Sequence, residues 1–146
     1  MKRLLSFVLI FVVVLGIIFA LGPRETTSDD IVFDANSISG ELESYLAESE
    51  ASVPDIRDGA EKSIIWADPA TKAKTALSVV YIHGFSATSM EVRPLPDLVA
   101  NALDSNLFYT RLRGHGRTGQ SMAEVSADEW FYDVQEAITI GKILGD

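Results

Sequence analysis

The sequence contains no cysteine. That excludes disulfides, thiolate metal centres, a cysteine nucleophile and a lipid-modified cysteine near the N-terminus. Histidine is nearly as scarce: His83 and His115 are the only two, and each is followed by glycine. Basic residues are absent between Arg24 and Arg57, while residues 25–56 carry nine acidic side chains. Over all 146 residues the formal net charge is −9. Such a chain repels nucleic acid and anionic lipid surfaces, which argues against either as a ligand.

One apolar run stands out. Residues 4–21, LLSFVLIFVVVLGIIFAL, contain 18 residues without a charge. A helix of ~20 apolar residues crosses a bilayer. Lys2 and Arg3 precede the run, and only Arg24 follows it closely. The positive-inside bias therefore places residues 1–3 in the cytoplasm and everything after Gly22 on the outer, periplasmic or extracellular, side. The expected organisation is a single-pass anchor over residues 4–22, in contact with the lipid bilayer. A cleaved signal peptide is the alternative. Its apolar core is usually ~7–15 residues, shorter than this run, and cleavage after Gly22 would leave Pro23 first. Both readings export the remainder; a buried core helix is the third.

Residues 23–61 read as an acidic linker. It opens with the polar ETTSDD, and the acidic run is expected to be a solvated face. Within it, SGELESYLAESE carries Leu42, Tyr45 and Leu46 at helical spacing and predicts one short amphipathic helix. Pro54 and Gly59 punctuate a loop.

The pattern changes at Lys62. SIIWA is a short apolar run, DPATKAKTA a turn, and LSVVYI a strand apolar enough for burial on both faces. PLPDLVANAL then places Leu95, Leu98, Val99, Ala102 and Leu103 on one helical face, with Pro94 and Pro96 near its first turn. NLFYTRL is the next strand. SADEWFYDVQEAITIGKILG predicts the longest helix of this part, with a Ser126/Glu129 capping box. Its inner stripe is expected to be Trp130, Val134, Ala137, Ile138, Gly141 and Leu144, and Gly145 its stop. Apolar strands alternating with amphipathic helices predict an α/β fold over residues 62–146, with a parallel sheet covered on both faces. An apolar edge strand would be left open at the end of this series, so the sequence reads as the front part of a larger domain.

In open α/β sheets, sites form at the carboxyl ends of the strands. His83 and Gly84 fall at one such end; Arg113, Gly114, His115 and Gly116 fall at the next. A glycine loop lets a main-chain N–H approach a ligand, and one such donor aimed at an oxyanion is worth ~3–4 kcal/mol in a transition state. YIHGFSATSMEVRPLPDLVANAL, NLFYTRLRGHG and DEWFYDVQEAITIGKILG resemble the first half of an α/β-hydrolase of the esterase and lipase kind. The resemblance covers about residues 63–146. It implies a serine hydrolase acting on a carboxylic ester or acyl lipid, without a cofactor or metal. The backbone N–H of Phe85 would be one oxyanion donor. Ser86 could line the site, and His83 and His115 would brace their own loops rather than act as bases.

The sequence departs from that family in one respect. No GxSxG nucleophile elbow occurs in it. GFSAT at Gly84 and GQSMA at Gly119 lack the second glycine and the strand-to-helix context, so neither Ser86 nor Ser121 is expected to be the nucleophile. In the family the nucleophile, acid and histidine follow in that order, which would place all three after Asp146. The expectation is an N-terminal fragment of a membrane-anchored serine hydrolase, inactive by itself. The alternative is a non-catalytic, membrane-tethered module that binds a partner through its acidic segment and open sheet edge.

Overall fold

The computed structural model describes residues 2–28 and 30–146. Helix α1, Lys2–Leu21, has 20 residues, ~30 Å at 1.5 Å per residue. That is the thickness of a bilayer's hydrocarbon core. None of its apolar stretch is buried by the rest of the protein, and it is long and apolar enough to cross a membrane.

The remainder is a mixed α/β layer structure. Strands β1 (Ser63–Ile65), β2 (Ser78–Tyr81) and β3 (Asn106–Tyr109) form a sheet in the order β1-β3-β2. Helices α2 (Leu42–Ala51), α3 (Leu95–Ala102), α4 (Gly119–Ala123) and α5 (Ala127–Leu144) surround it. β3 lies in the middle and is fully buried. Its side chains alternate between the two faces. Phe108 packs with Ile64 and Val80 against Ala137, Ile140 and Leu144 of α5 and Leu46 of α2. Leu107 and Tyr109 pack with Val79 and Tyr81 against Ala100 of α3. Helices therefore cover both faces.

The expected all-parallel sheet is corrected at its first strand. β2 pairs with β3 in parallel, but β1 pairs with β3 antiparallel, Ser63 opposite Tyr109. Residues 66–77 explain it. They contain no crossover helix; Asp68 instead caps a turn through Ala70, Thr71 and Lys72. A parallel neighbour needs a crossover connection, which a turn cannot supply. β2 is also less buried than LSVVYI suggested, because it sits at the edge of the sheet.

The acidic face is solvated as expected, with Glu50 the exception among its described carboxylates, but the segment also packs on the domain. Its later part docks α2 onto the sheet through Leu46 and through one buried ion pair. Glu50 on α2 binds the Arg111 guanidinium with both oxygens, at 2.8 and 2.9 Å. Glu136 on α5 accepts from Tyr45 at 2.6 Å and from Lys62 at 2.5 Å. Burial and the Glu136 carboxylate push the Tyr45 phenol well above its ordinary value. The earlier part runs along α5. Ser28 donates its amide to Asp128, Gln135 bonds the backbone of Ile31 and Phe33, and the Phe33 ring stacks edge-on against Tyr132. Of the segment's described acidic side chains, Glu50 alone turns inward, because Arg111 from later in the chain meets it.

Two helices present different faces from those expected. On α3, Pro96 and Ala100 are buried while Leu95, Leu98, Val99 and Leu103 face outward. On α5 the inner side carries Asp133, Glu136 and Ile140 with Ala137, Gly141 and Leu144, and Ile138 is exposed. Apolar spacing misplaces this stripe because two carboxylates sit inside it with their partners. The Ser126/Glu129 capping box is formed with both of its hydrogen bonds. Gly145 caps α5 in an extended conformation, φ −146°, not a left-handed one. Its value is closeness: a Cβ there would lie 2.4 Å from the Ser78 nitrogen, and one at Gly141 would lie 2.5 Å from a Val80 methyl.

Removing one partner of a buried ion pair strands the other charge, at a cost of about 3–5 kcal/mol. Glu50→Ala is expected to destabilise the fold by that amount in urea unfolding of the detergent-solubilised chain. The double variant Glu50→Leu, Arg111→Met is expected to recover most of it, because neither charge then remains to be solvated.

Candidate functional site

The two His-Gly loops leave the carboxyl ends of β2 and β3, which pair in parallel and so end on the same edge. In the first loop the Ala87 amide donates to the Gly84 carbonyl at 3.1 Å, closing a turn with Phe85 and Ser86 at its centre. Ser86 sits at φ +59°, in the left-handed region that costs a non-glycine residue ~1–2 kcal/mol. In the second loop, Gly114 and Gly116 lie at φ +76° and +68°, and a Cβ on either would meet a neighbour at 2.8 Å. Gly84 differs. A Cβ there would meet nothing within 4 Å, so its missing side chain keeps open the space beside Phe85.

The histidines lock the loops to each other reciprocally. Nε2 of His83, in the first loop, accepts the Leu112 amide of the second at 3.1 Å. Nε2 of His115, in the second loop, accepts the Ser86 amide of the first at 3.1 Å. Because each Nε2 accepts, each Nδ1 carries the proton. It is donated to the Gly84 carbonyl at 3.0 Å by His83 and to the Arg113 carbonyl at 3.1 Å by His115. The rings lie with centroids 4.7 Å apart, tilted by 50°. Both imidazoles are thus neutral braces, with all four nitrogens committed to main chain. Neither has a nitrogen left to take a proton from a nucleophile or to ligate a metal. No group of three or more metal-ligating side chains occurs among the described residues.

Among the described residues the Phe85 amide donates to no acceptor, as is true of the amides of Gly84, Gly114 and Gly116 in the same two loops, while the next amide, Ser86, is taken by His115. The Phe85 side chain is 75% exposed and leans on Trp130, ring centroids 5.9 Å apart; Trp130 in turn packs on His115 at 5.5 Å. Trp130 Nε1 donates to the Arg113 carbonyl at 3.0 Å, and Asp133 accepts the Arg113 amide at 2.6 Å. α5 thereby holds the Arg113 loop from beneath.

Sequence reasoning named His83, Gly84, Phe85, Ser86, Arg113, Gly114, His115 and Gly116 for this site, and the structure brings these loops together. It missed Asp133 and the covering role of Trp130. The available signal was a carboxylate three residues after Trp130 inside an otherwise apolar stripe. Ser121, in α4, packs its backbone against Gly114 of the second loop, and its hydroxyl is engaged in the Thr118 cap. A groove of about 320 Å³ lies at the other edge of the sheet, between Trp66 and Asp104. Its Asp97 is engaged by Arg93 and Tyr109. No protein-family model matches this chain, and no curated protein matches it.

Burial sets opposed pH responses in the lock. It pushes the Asp133 carboxyl up from 3.8 to about 6, against the pull of the Arg113 amide and guanidinium. The stability this contributes is full below 3.8 and lost as pH rises through about 6. Burial pushes His83 below its ordinary 6.5. Its contribution is full above 6.5 and lost as pH falls through the lowered value. Below about pH 6 the two oppose each other. Asp133→Asn is expected to expose a melting temperature that falls with acidification, and His83→Gln one that rises, each read by circular dichroism in that window.

Proposed function

We propose that residues 62–146 are the oxyanion-side part of a serine hydrolase, anchored by α1 with its domain outside the cytoplasmic membrane, that cleaves a carboxylic ester or acyl lipid. The observation that carries this reading is the unused Phe85 amide, presented at the carboxyl edge of parallel strands and fixed by the His83/His115 lock. In acyl transfer, a serine oxygen adds to the ester carbonyl, and its oxygen becomes an oxyanion. A preorganised amide stabilises that charge more than the ground-state carbonyl. Gly84 leaves room for the reacting group, and the Phe85 ring borders the acyl side. The serine and its base are supplied by segments after Asp146, since both histidines here are committed to main chain.

The test exploits the turn. Phe85 occupies its second position, where proline is well tolerated. Phe85→Pro therefore removes the N–H without breaking any hydrogen bond found here. In the full-length gene product, read through the codons that follow Asp146, Phe85→Pro is expected to lower kcat for a chromogenic carboxylic ester by about 10²–10³. Phe85→Ala, which keeps the N–H, is expected to change mainly KM. Equal kcat in the two variants, or a downstream reading frame with no nucleophile elbow, would overturn the proposal.

A second reading rests on β2, whose outer edge has no strand partner among the described residues. A tethered binding module could add a partner's strand there. It requires a stop codon directly after Asp146, which the same sequencing reveals.

A further inference from the structure

We infer that the sheet edge bearing Phe85 and Trp130 rests against the bilayer that α1 crosses, so that the site takes an amphiphile from the membrane surface. This rests on reading α1 as an anchor, and it names the source of substrate for the site proposed above.

The first support is chain length. α1 ends at Leu21, and Glu25 already accepts the Ala127 amide at 3.3 Å. Four residue steps span at most ~14 Å. The N-terminus of α5 is therefore held within that distance, plus the reach of the Glu25 side chain and its hydrogen bond, of the end of the apolar helix, whatever the angle between the two. The strap then leads away from the membrane. Ser28 bonds Asp128, and the backbone of Ile31 and Phe33 bonds Gln135, two turns further along α5. The first turn of α5 is its membrane-proximal end.

The second support is topology. α5 returns antiparallel to β3, so its first turn lies at the carboxyl edge of β2 and β3. Trp130, in that turn, touches both the Arg113 carbonyl and the Phe85 ring. The membrane-proximal end and the site edge are one end of the molecule.

The third support is the surface itself. Phe85 and Phe131 are exposed at this end, beside Trp130. Exposed apolar rings gain by leaving water, and tryptophan is enriched at the headgroup level of bilayers. The other edge carries Asp68, Lys72 and Lys74, the last paired with Asp146. A net charge of −9 favours a zwitterionic over an anionic surface.

The two tryptophans make the test internal. Trp66 follows β1, which runs against β3, and so lies at the far edge. The full 146-residue chain, as Trp66→Phe and as Trp130→Phe, is reconstituted in phosphatidylcholine vesicles carrying a headgroup-level nitroxide lipid. Trp130 is expected to lose most of its emission and Trp66 to keep it. Equal quenching, or quenching of Trp66 alone, overturns the inference, as does a Trp130 shielded from aqueous acrylamide but not quenched by the lipid, the mark of a second copy on this face. Should Trp130→Phe not fold, bimane on Phe131→Cys and on Ala70→Cys in this cysteine-free chain reads the same contrast. Carbonate-resistant flotation separates the two readings. A chain that does not float overturns the anchor and this inference with it; a floating chain with Trp130 unquenched overturns the inference alone.

Discussion

Two imidazoles exchanged between two loops set the geometry on which the rest of the site depends. Each ring takes an amide from the opposite loop and returns its proton to main chain near its own position. A single brace of this kind contributes about 0.5–1.5 kcal/mol, but a buried donor left unmade costs about 1–3 kcal/mol. The reciprocal arrangement makes each loop's satisfaction conditional on the other's position. The left-handed Ser86 follows from it. Its strained backbone turns one amide into His115, while the preceding one, of Phe85, meets no acceptor among the described residues.

A second layer of constraint comes from charge. Glu50, Arg111, Lys62 and Glu136 are nearly buried, and each has a partner of opposite sign. Such pairs add little net stability over apolar residues of the same size, but they penalise any arrangement that separates them. Arg111 lies between β3 and the second loop, so its pairing with Glu50 ties the acidic segment to the site. The segment that joins α1 to the sheet is thereby part of the domain's architecture, and it fixes how the domain is presented to whatever α1 occupies.

Much of this was legible in the sequence, and the failures have physical reasons. α1, the cap of α5, the α/β alternation and the convergence of two His-Gly loops follow from local rules of hydropathy, capping and strand polarity. The direction of β1 depended on a turn that the sequence also showed, in DPATKAKTA, but whose consequence for strand polarity outweighs the apolar pattern. The faces of α3 and α5 were misread because apolar spacing assumes that charges point outward. Asp133 and Glu136 point inward to partners in a loop and in the acidic segment, which no local window contains. The tautomers of the two histidines could not be read at all without the amides they face.

The glycines of α5 have a mechanical consequence. At Gly141 and Gly145 the helix bears on β2 through bare backbone, while at its other end it is propped by the ring of Trp130. From Gly141 to Trp130 is about 16 Å along the axis. The helix is thus a lever with a tight fulcrum and a long arm over the His-Gly edge. A slight rocking at the fulcrum is magnified at Trp130. The bonds that join α5 to residue 113, from Trp130 and to Asp133 and Glu129, act on that long arm, where they resist rotation with the greatest advantage.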